Sequence, residues 1–348
     1  MMSLENKHYS YEMKLTDKIR DAKRICNYPG CNSPAINSHI LQENGILNWI
    51  ADDKKTFMEH TPWSKFRPEE FYPASINKSK MFTFKGFCNY HDTTVFKEIE
   101  DGNLDFSFYN QNLLFSYRGL LNDLYSALVS RDFANKALYD NKLPDNWKDD
   151  YKKRRNREQL KVNELTYYKW VIEQEIILKQ QPQQFVFHHF SLPKLELATS
   201  TIYGGITIYG VKGYLEMDYT TLRKIKADDP TYRPACHPIF INLIPGKNNL
   251  SFILGYINTL TEIETIPVRN ISSLGQADLF RLLSQILPKL EVWGMSKNLY
   301  KKWKDEGKID RLLNARASWN GRIVPFRTEA ELKILKENDR LNSFSLVS

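Results

Sequence analysis

Four residues of metal-ligand type fall into two short-spaced pairs, Cys26-x4-Cys31 and Cys88-x2-His91. No other feature restricts the possible folds as much. Two pairs that meet on one tetrahedral cation close the chain between them into a small domain that needs little hydrophobic core. Thiolate and imidazole are the ligands zinc favours. Asn27, Pro29 and Gly30 lie inside the first pair and suit the tight turn of a metal knuckle. The bland alternative is a set of reduced core cysteines and a surface histidine. With only four cysteines in 348 residues there is no disulfide framework, and Cys236 stands apart from the other three.

His39 lies between the pairs, in Ile36-Asn37-Ser38-His39-Ile40-Leu41. Apolar and polar residues alternate there, which predicts a short strand that turns His39 away from Ile40. His39 could replace one of the four as a metal ligand. It could instead stand beside a zinc-braced helix and take a proton from water attacking a phosphodiester.

Around the pairs, helix and strand signals alternate. Residues up to about 105 are loop-rich, with turn signals at Tyr28-Pro29-Gly30, Ser33-Pro34, Thr61-Pro62 and Tyr72-Pro73. From Phe106, apolar residues at three- and four-residue steps predict a helix through Leu128. Asn141–Asn146 reads as a connection, and a second helix is expected from about Trp147 to Gln180. After Pro182, FVFHHFSL, IYGGITIYGVKGYLEMDY and PIFINLIPG read as strands. Helix returns at Leu274, and a last basic helix is expected over Asn298–Asn314. The expected class is α+β, as a metal domain over 1–105, a helical segment over 106–181 and an α+β domain over 182–348.

The motif C-x4-C, then Ser-His on a short strand, then F-C-x2-H-D leading into a helix resembles the HNH-type (His-Me finger, ββα-metal) nucleases built on a zinc treble clef. In that family the first knuckle precedes a strand ending in Asp-His or His-His, whose second histidine is the general base. The closing helix carries C-x2-C-H, in which the cysteines bind zinc and the histidine binds catalytic magnesium. The resemblance implies that Cys26, Cys31, Cys88 and His91 are structural zinc ligands and that His39 is the general base. It places Asp92 where the family's magnesium ligand sits, and a carboxylate suits Mg²⁺ or Mn²⁺. It covers about residues 22–100 and departs from the family in three places. Ser38 replaces an acidic or histidine metal ligand, Cys88-x2-His91 replaces the second cysteine pair, and residues of about 45–80 form an insertion. Asn77 is the nearest counterpart of the family's middle asparagine.

Charge bears on partners. The chain carries 49 Lys and Arg against 41 Asp and Glu, a net of +8, which permits polyanion binding. Lys152, Lys153, Arg154, Arg155 and Arg157 could follow a phosphate backbone or form a solvated helix face. Lys297, Lys301, Lys302, Lys304, Lys308, Arg311 and Arg316 form a second basic stretch, interleaved with Trp293, Trp303 and Trp319. These tryptophans suit packing anchors better than base stacking.

His188-His189 sits on a strand with aromatics on both faces, and Cys236-His237 lies between prolines in a loop. Gly204-Gly205, Gly210 and Gly213 lack a phosphate-loop pattern and read as turns. No Gly-x-Ser-x-Gly or His-Glu-x-x-His is present. No apolar run reaches the ~18 residues of a membrane span, and the first residues carry no apolar signal segment, so a cytoplasmic protein is expected. The first expectation is a metal-dependent HNH-like endonuclease acting on nucleic acid, of the kind found in anti-phage defence. The alternative is a non-catalytic zinc module that binds nucleic acid or a partner protein within a larger complex.

Overall fold

The structure is a computed structural model that describes residues 4–52, 54–60, 72–179, 183–203, 239–258, 274–290 and 292–320. It mixes helix and strand, as the sequence predicts, and no described helix is long and apolar enough to cross a membrane. Cys236-His237 and the glycines at 204, 205, 210 and 213 lie outside the described residues, as does most of the strand run expected there.

A helix α1 (Leu4–Arg20) precedes the first knuckle, where the sequence reads as loop-rich. Its buried positions include Glu12 and Thr16 along with Ile19, so no apolar stripe announces it. Next come a hairpin of β1 (Asn37–His39) and β4 (Thr83–Lys85) and the short helix α2 (Asn89–Val95). The chain between β1 and β4 carries β2 (Lys55–His60) and β3 (Tyr72–Asn77). These leave the hairpin and join the main sheet. The four-residue helix α3 (Lys97–Glu100) leads into the expected long helices, α4 (Tyr109–Leu138) and α5 (Lys148–Ile176).

The main sheet has seven strands in the order β3-β2-β9-β6-β7-β8-β5, every neighbouring pair antiparallel. Its remaining strands are β5 (Phe185–Pro193), β6 (Leu197–Tyr203), β7 (Ile239–Pro245), β8 (Asn249–Ile257) and β9 (Gly294–Met295). Both faces are covered, so β7 is buried at every position instead of alternating. Phe240, Ile244 and Ile253 pack with α4, whereas Ile239, Ile241, Leu243, Phe252 and Leu254 pack with the C-terminal helices. Asn242 faces α4 and is satisfied there, 2.6 Å from Ser200 Oγ and 3.1 Å from Ser116 Oγ. Gly119 lets α4 approach the sheet, because a Cβ at that position would lie 2.6 Å from Ser200 Oγ.

The C-terminal helices are α6 (Gln276–Ile286), α7 (Lys297–Asp305) and α8 (Lys308–Asn320). The single basic helix expected over Asn298–Asn314 is therefore two. Gly307 has a φ of +66°, a left-handed residue that ends one helix before the next begins. One connected core runs from Ile19 past the knuckles, through α4 and α5, to Ile257 in the sheet.

Candidate metal centre

The first knuckle is shaped by its own backbone. Gly30 takes a φ of +75°, and the Cys31 N–H donates to Tyr28 O at 3.1 Å. The Cys26 N–H donates to Ser33 O at 2.8 Å, and the Tyr28 N–H points at Cys26 Sγ at 3.5 Å. Three bonds dock the knuckle onto the segment that leads from β4 to the second pair. The Asn27 backbone and side-chain amides both donate to Gly86 O, at 3.0 and 2.7 Å. The Ile36 N–H donates to Phe87 O at 2.7 Å. The second pair opens α2, with Cys88 as its N-cap.

These contacts bring Cys26, Cys31, Cys88 and His91 together, one ligand atom from each lying within 4.8 Å of the others. His91 Nδ1 lies 3.5 Å from Cys26 Sγ and 3.3 Å from Cys88 Sγ. With Zn–S of about 2.3 Å and Zn–N of about 2.0 Å, a tetrahedron sets S···N edges of about 3.5 Å and S···S edges of about 3.8 Å. The four side chains therefore fit a metal such as zinc. Tyr28 stacks on the His91 ring, centroids 3.8 Å apart and planes 2° from parallel, which fixes the imidazole. Burial pushes the Cys26 thiol up to about 11, while hydrogen bonding from the Ser33 backbone holds Cys31 below its ordinary value. A cation that binds Cys26 must offset that desolvation.

His39 is outside this group. It ends β1 as expected, opposite Thr83. Directly opposed residues share a sheet face, so Asn37, His39, Thr83 and Lys85 lie on one side of the hairpin. Ser38 and Phe84 lie on the other, both buried. The carboxylate beside His39 is that of Glu43, with Oε2 3.7 Å from Nε2. In the sequence, Glu43 is marked only by its four-residue spacing from His39. Asp92 sits in the first turn of α2. Three buried side-chain atoms on this unit have no hydrogen-bond partner, Arg24 Nε, His39 Nε2 and Asp92 Oδ1, and Arg24 still reaches Asp132 through its Nη2 at 3.2 Å. Ser38 Oγ accepts the Phe87 N–H at 3.2 Å and so braces the second knuckle. Asn77 Oδ1 accepts the Ser79 N–H and caps the turn after β3.

No family model, no curated protein and no solved structure matches the chain.

The basic run on α5 is not a continuous free face. Lys152, Lys153 and Arg157 are exposed, but Arg155 is buried and Arg154 is half-buried. Arg154 Nε donates to Ser130 Oγ at 3.1 Å, and its guanidinium lies over the Phe133 ring. At the C-terminus Lys304 pairs with Asp310 at 2.7 Å and Lys308 with Glu306 at 3.0 Å. Trp293 and Trp303 are buried, as packing anchors should be, while the side chain of Trp319 lies outside the described part. On β5, His188 Nε2 contacts Tyr256 Oη and His189 Nε2 contacts Ser251 Oγ, each at 3.1 Å. Both histidines meet polar partners on neighbouring β8.

Proposed function

We propose that this chain is a zinc-braced endonuclease that hydrolyses phosphodiesters with a second divalent cation, Mg²⁺ or Mn²⁺. The observation that carries this reading is two buried atoms without a hydrogen bond, His39 Nε2 and Asp92 Oδ1, on the unit that the Cys26/Cys31/Cys88/His91 group would fix. Buried polar atoms without partners are rare and cost about 1–3 kcal/mol each. A reacting water at the imidazole and a cation at the carboxylate would supply the missing partners. The order strand, strand, helix over β1, β4 and α2 also supports the resemblance to HNH nucleases.

In this mechanism the zinc ligands hold the hairpin against α2 and take no part in chemistry. His39 accepts a proton from water at Nε2, and the Glu43 carboxylate favours the imidazolium that forms. Asp92 would hold the divalent cation, which would supply stabilisation of the charge on the phosphoryl and leaving oxygens.

A second reading, a non-catalytic zinc module that binds nucleic acid or a partner protein, is favoured by Ser38. Its hydroxyl is committed to the Phe87 N–H where the family has a metal ligand. The two readings part on one experiment. Purified chain is incubated with single-stranded and duplex DNA and RNA in Mg²⁺ or Mn²⁺. Cleavage that falls about 10²- to 10⁴-fold in His39→Ala, with zinc content unchanged, supports the nuclease. No cleavage of any substrate, or loss of zinc in His39→Ala, rejects it in favour of the module.

A further inference from the structure

The lysines on and beside the β1–β4 hairpin differ from those of α5 and the C-terminal helices in their place next to the strand that carries His39. Lys152, Lys153, Lys301 and Lys302 are exposed and equally without an ion pair among the described residues. Lys54, Lys55, Lys80 and Lys85 have no ion-pair partner among the described residues. The first three are exposed and Lys85 is half-exposed. Of the carboxylates described nearby, Asp52 lies 4.0 Å from Lys297 and Glu43 3.7 Å from His39.

Backbone contacts arrange these lysines as a path toward His39. Lys54 O accepts the Lys78 N–H at 2.9 Å, and Lys55 stands opposite Asn77 in the β2–β3 register. Lys80 O accepts Thr83 Oγ1–H at 3.1 Å, and Thr83 stands opposite His39. Lys85 shares the face of His39 one pleat farther along. The turn Ile46–Trp49 presents Trp49 with 43% of its surface exposed; Trp49 also lines a cleft of about 680 Å³ that none of the four lysines enters. Lys78 ties this turn to the end of β3, its Nζ 2.7 Å from Asn48 Oδ1 and 3.3 Å from Asn44 Oδ1.

We infer that this face is the cradle for a single-stranded nucleic acid, with its phosphates on Lys54, Lys55, Lys80 and Lys85 and one base stacked on Trp49. Unpaired ammonium groups exchange counterions for phosphates without first giving up an internal partner. An exposed indole beside such a row is the platform that unstacked bases use and that duplex DNA, with its bases enclosed, does not. The inference rests on the nuclease reading only in that the strand passes His39.

The test is fluorescence anisotropy with labelled single-stranded oligonucleotides and the full chain carrying His39→Ala, so that nothing is cut. Replacing Lys54, Lys55, Lys80 and Lys85 with Gln should weaken binding at least about tenfold at low salt. It should flatten the log–log salt slope by about 3. Trp49→Ala should weaken single-strand binding about 5- to 100-fold and leave duplex binding unchanged. Lys152→Gln with Lys153→Gln, on exposed positions of α5, should change neither. If the fourfold variant does not fold, Lys54→Gln with Lys55→Gln alone still has to lower affinity and slope. Unchanged binding in the lysine variants overturns the inference, as does loss that follows Lys152 and Lys153. Equal sensitivity of duplex and single strand to Trp49→Ala overturns the single-strand assignment. Cleavage by the wild-type chain is read in parallel. Binding through the lysines without cleavage removes the nuclease reading and leaves the cradle, whereas cleavage with lysine-independent binding does the reverse.

Discussion

Gly86 shows how little room surrounds the metal group. A Cβ there would lie 2.7 Å from Ser38 Oγ and 2.8 Å from a Phe84 ring carbon, and its carbonyl already accepts both amides of Asn27. The same strand end thus anchors one knuckle, leads into the other and buries the Ser38 hydroxyl. Cys88→Ser should therefore lose more than a ligand. Zinc by elemental analysis is expected to fall from about one per chain to below ~0.2, with no recovery on adding zinc. A variant that keeps its zinc would show that the four side chains are not the ligand set. The clustering of Cys26, Cys31, Cys88 and His91 is legible in the sequence because each pair is local and its spacing carries the geometry. The role of Ser38 is not, because its partner Phe87 is 49 residues away and nothing in a one-dimensional pattern marks the bond. Glu43 is hidden for a related reason. Four-residue spacing usually signals a helix face, and here it spans the end of a strand and a turn.

Among the elements, α4 and α5 were readable because long apolar periodicities survive in them. Helix α1 was not, since it docks largely through polar atoms. Glu12 is fully buried and accepts Tyr151 Oη–H at 2.5 Å, and Arg20 O accepts Tyr125 Oη–H at 2.7 Å. Burial and the adjacent carboxylate push the Tyr151 phenol far above its ordinary value, so it remains a donor throughout the working pH range. Tyr151→Phe removes that donor from a buried carboxylate with almost no change in shape. It should destabilise the chain by about 1–3 kcal/mol in urea unfolding. A change under ~0.5 kcal/mol would mean that α1 is held by its apolar contacts alone. Strands β2 and β3 were hidden for another reason. They lie inside the stretch that the resemblance to HNH nucleases leaves as an insertion, and their texture, KTFMEH and YPASIN, is only weakly apolar. Their place in the main sheet is set by β9, more than two hundred residues later in the chain.

At the scale of the whole molecule, the metal group and the sheet share one core. Phe87 and Phe96, next to the knuckles, pack on Tyr117 of α4, and the same helix packs on β6 and β7. Removing the cation should therefore not release the first hundred residues as a separate unit. Chelation is expected to lower the melting temperature by at least ~5 °C within a single calorimetric transition. Two resolved transitions, one insensitive to chelator, would contradict it. The sheet itself is less uniform than its seven strands suggest. Strands β3 and β2 on one side and β6, β7, β8 and β5 on the other meet only through Gly294 and Met295, with two register pairs to each neighbour. Helix α7 starts just after that joint, and its first residue, Lys297, faces Asp52 at the root of β2. The β2–β3 arm therefore joins the rest of the sheet along two residues, while its other end is pinned to the hairpin, with Thr56 Oγ1 2.9 Å from Met81 Sδ, Lys54 O accepting the Lys78 N–H and Ile76 packed on the shared core. Lys54 and Lys55 thus take their position from the hairpin, although their strand belongs to the main sheet.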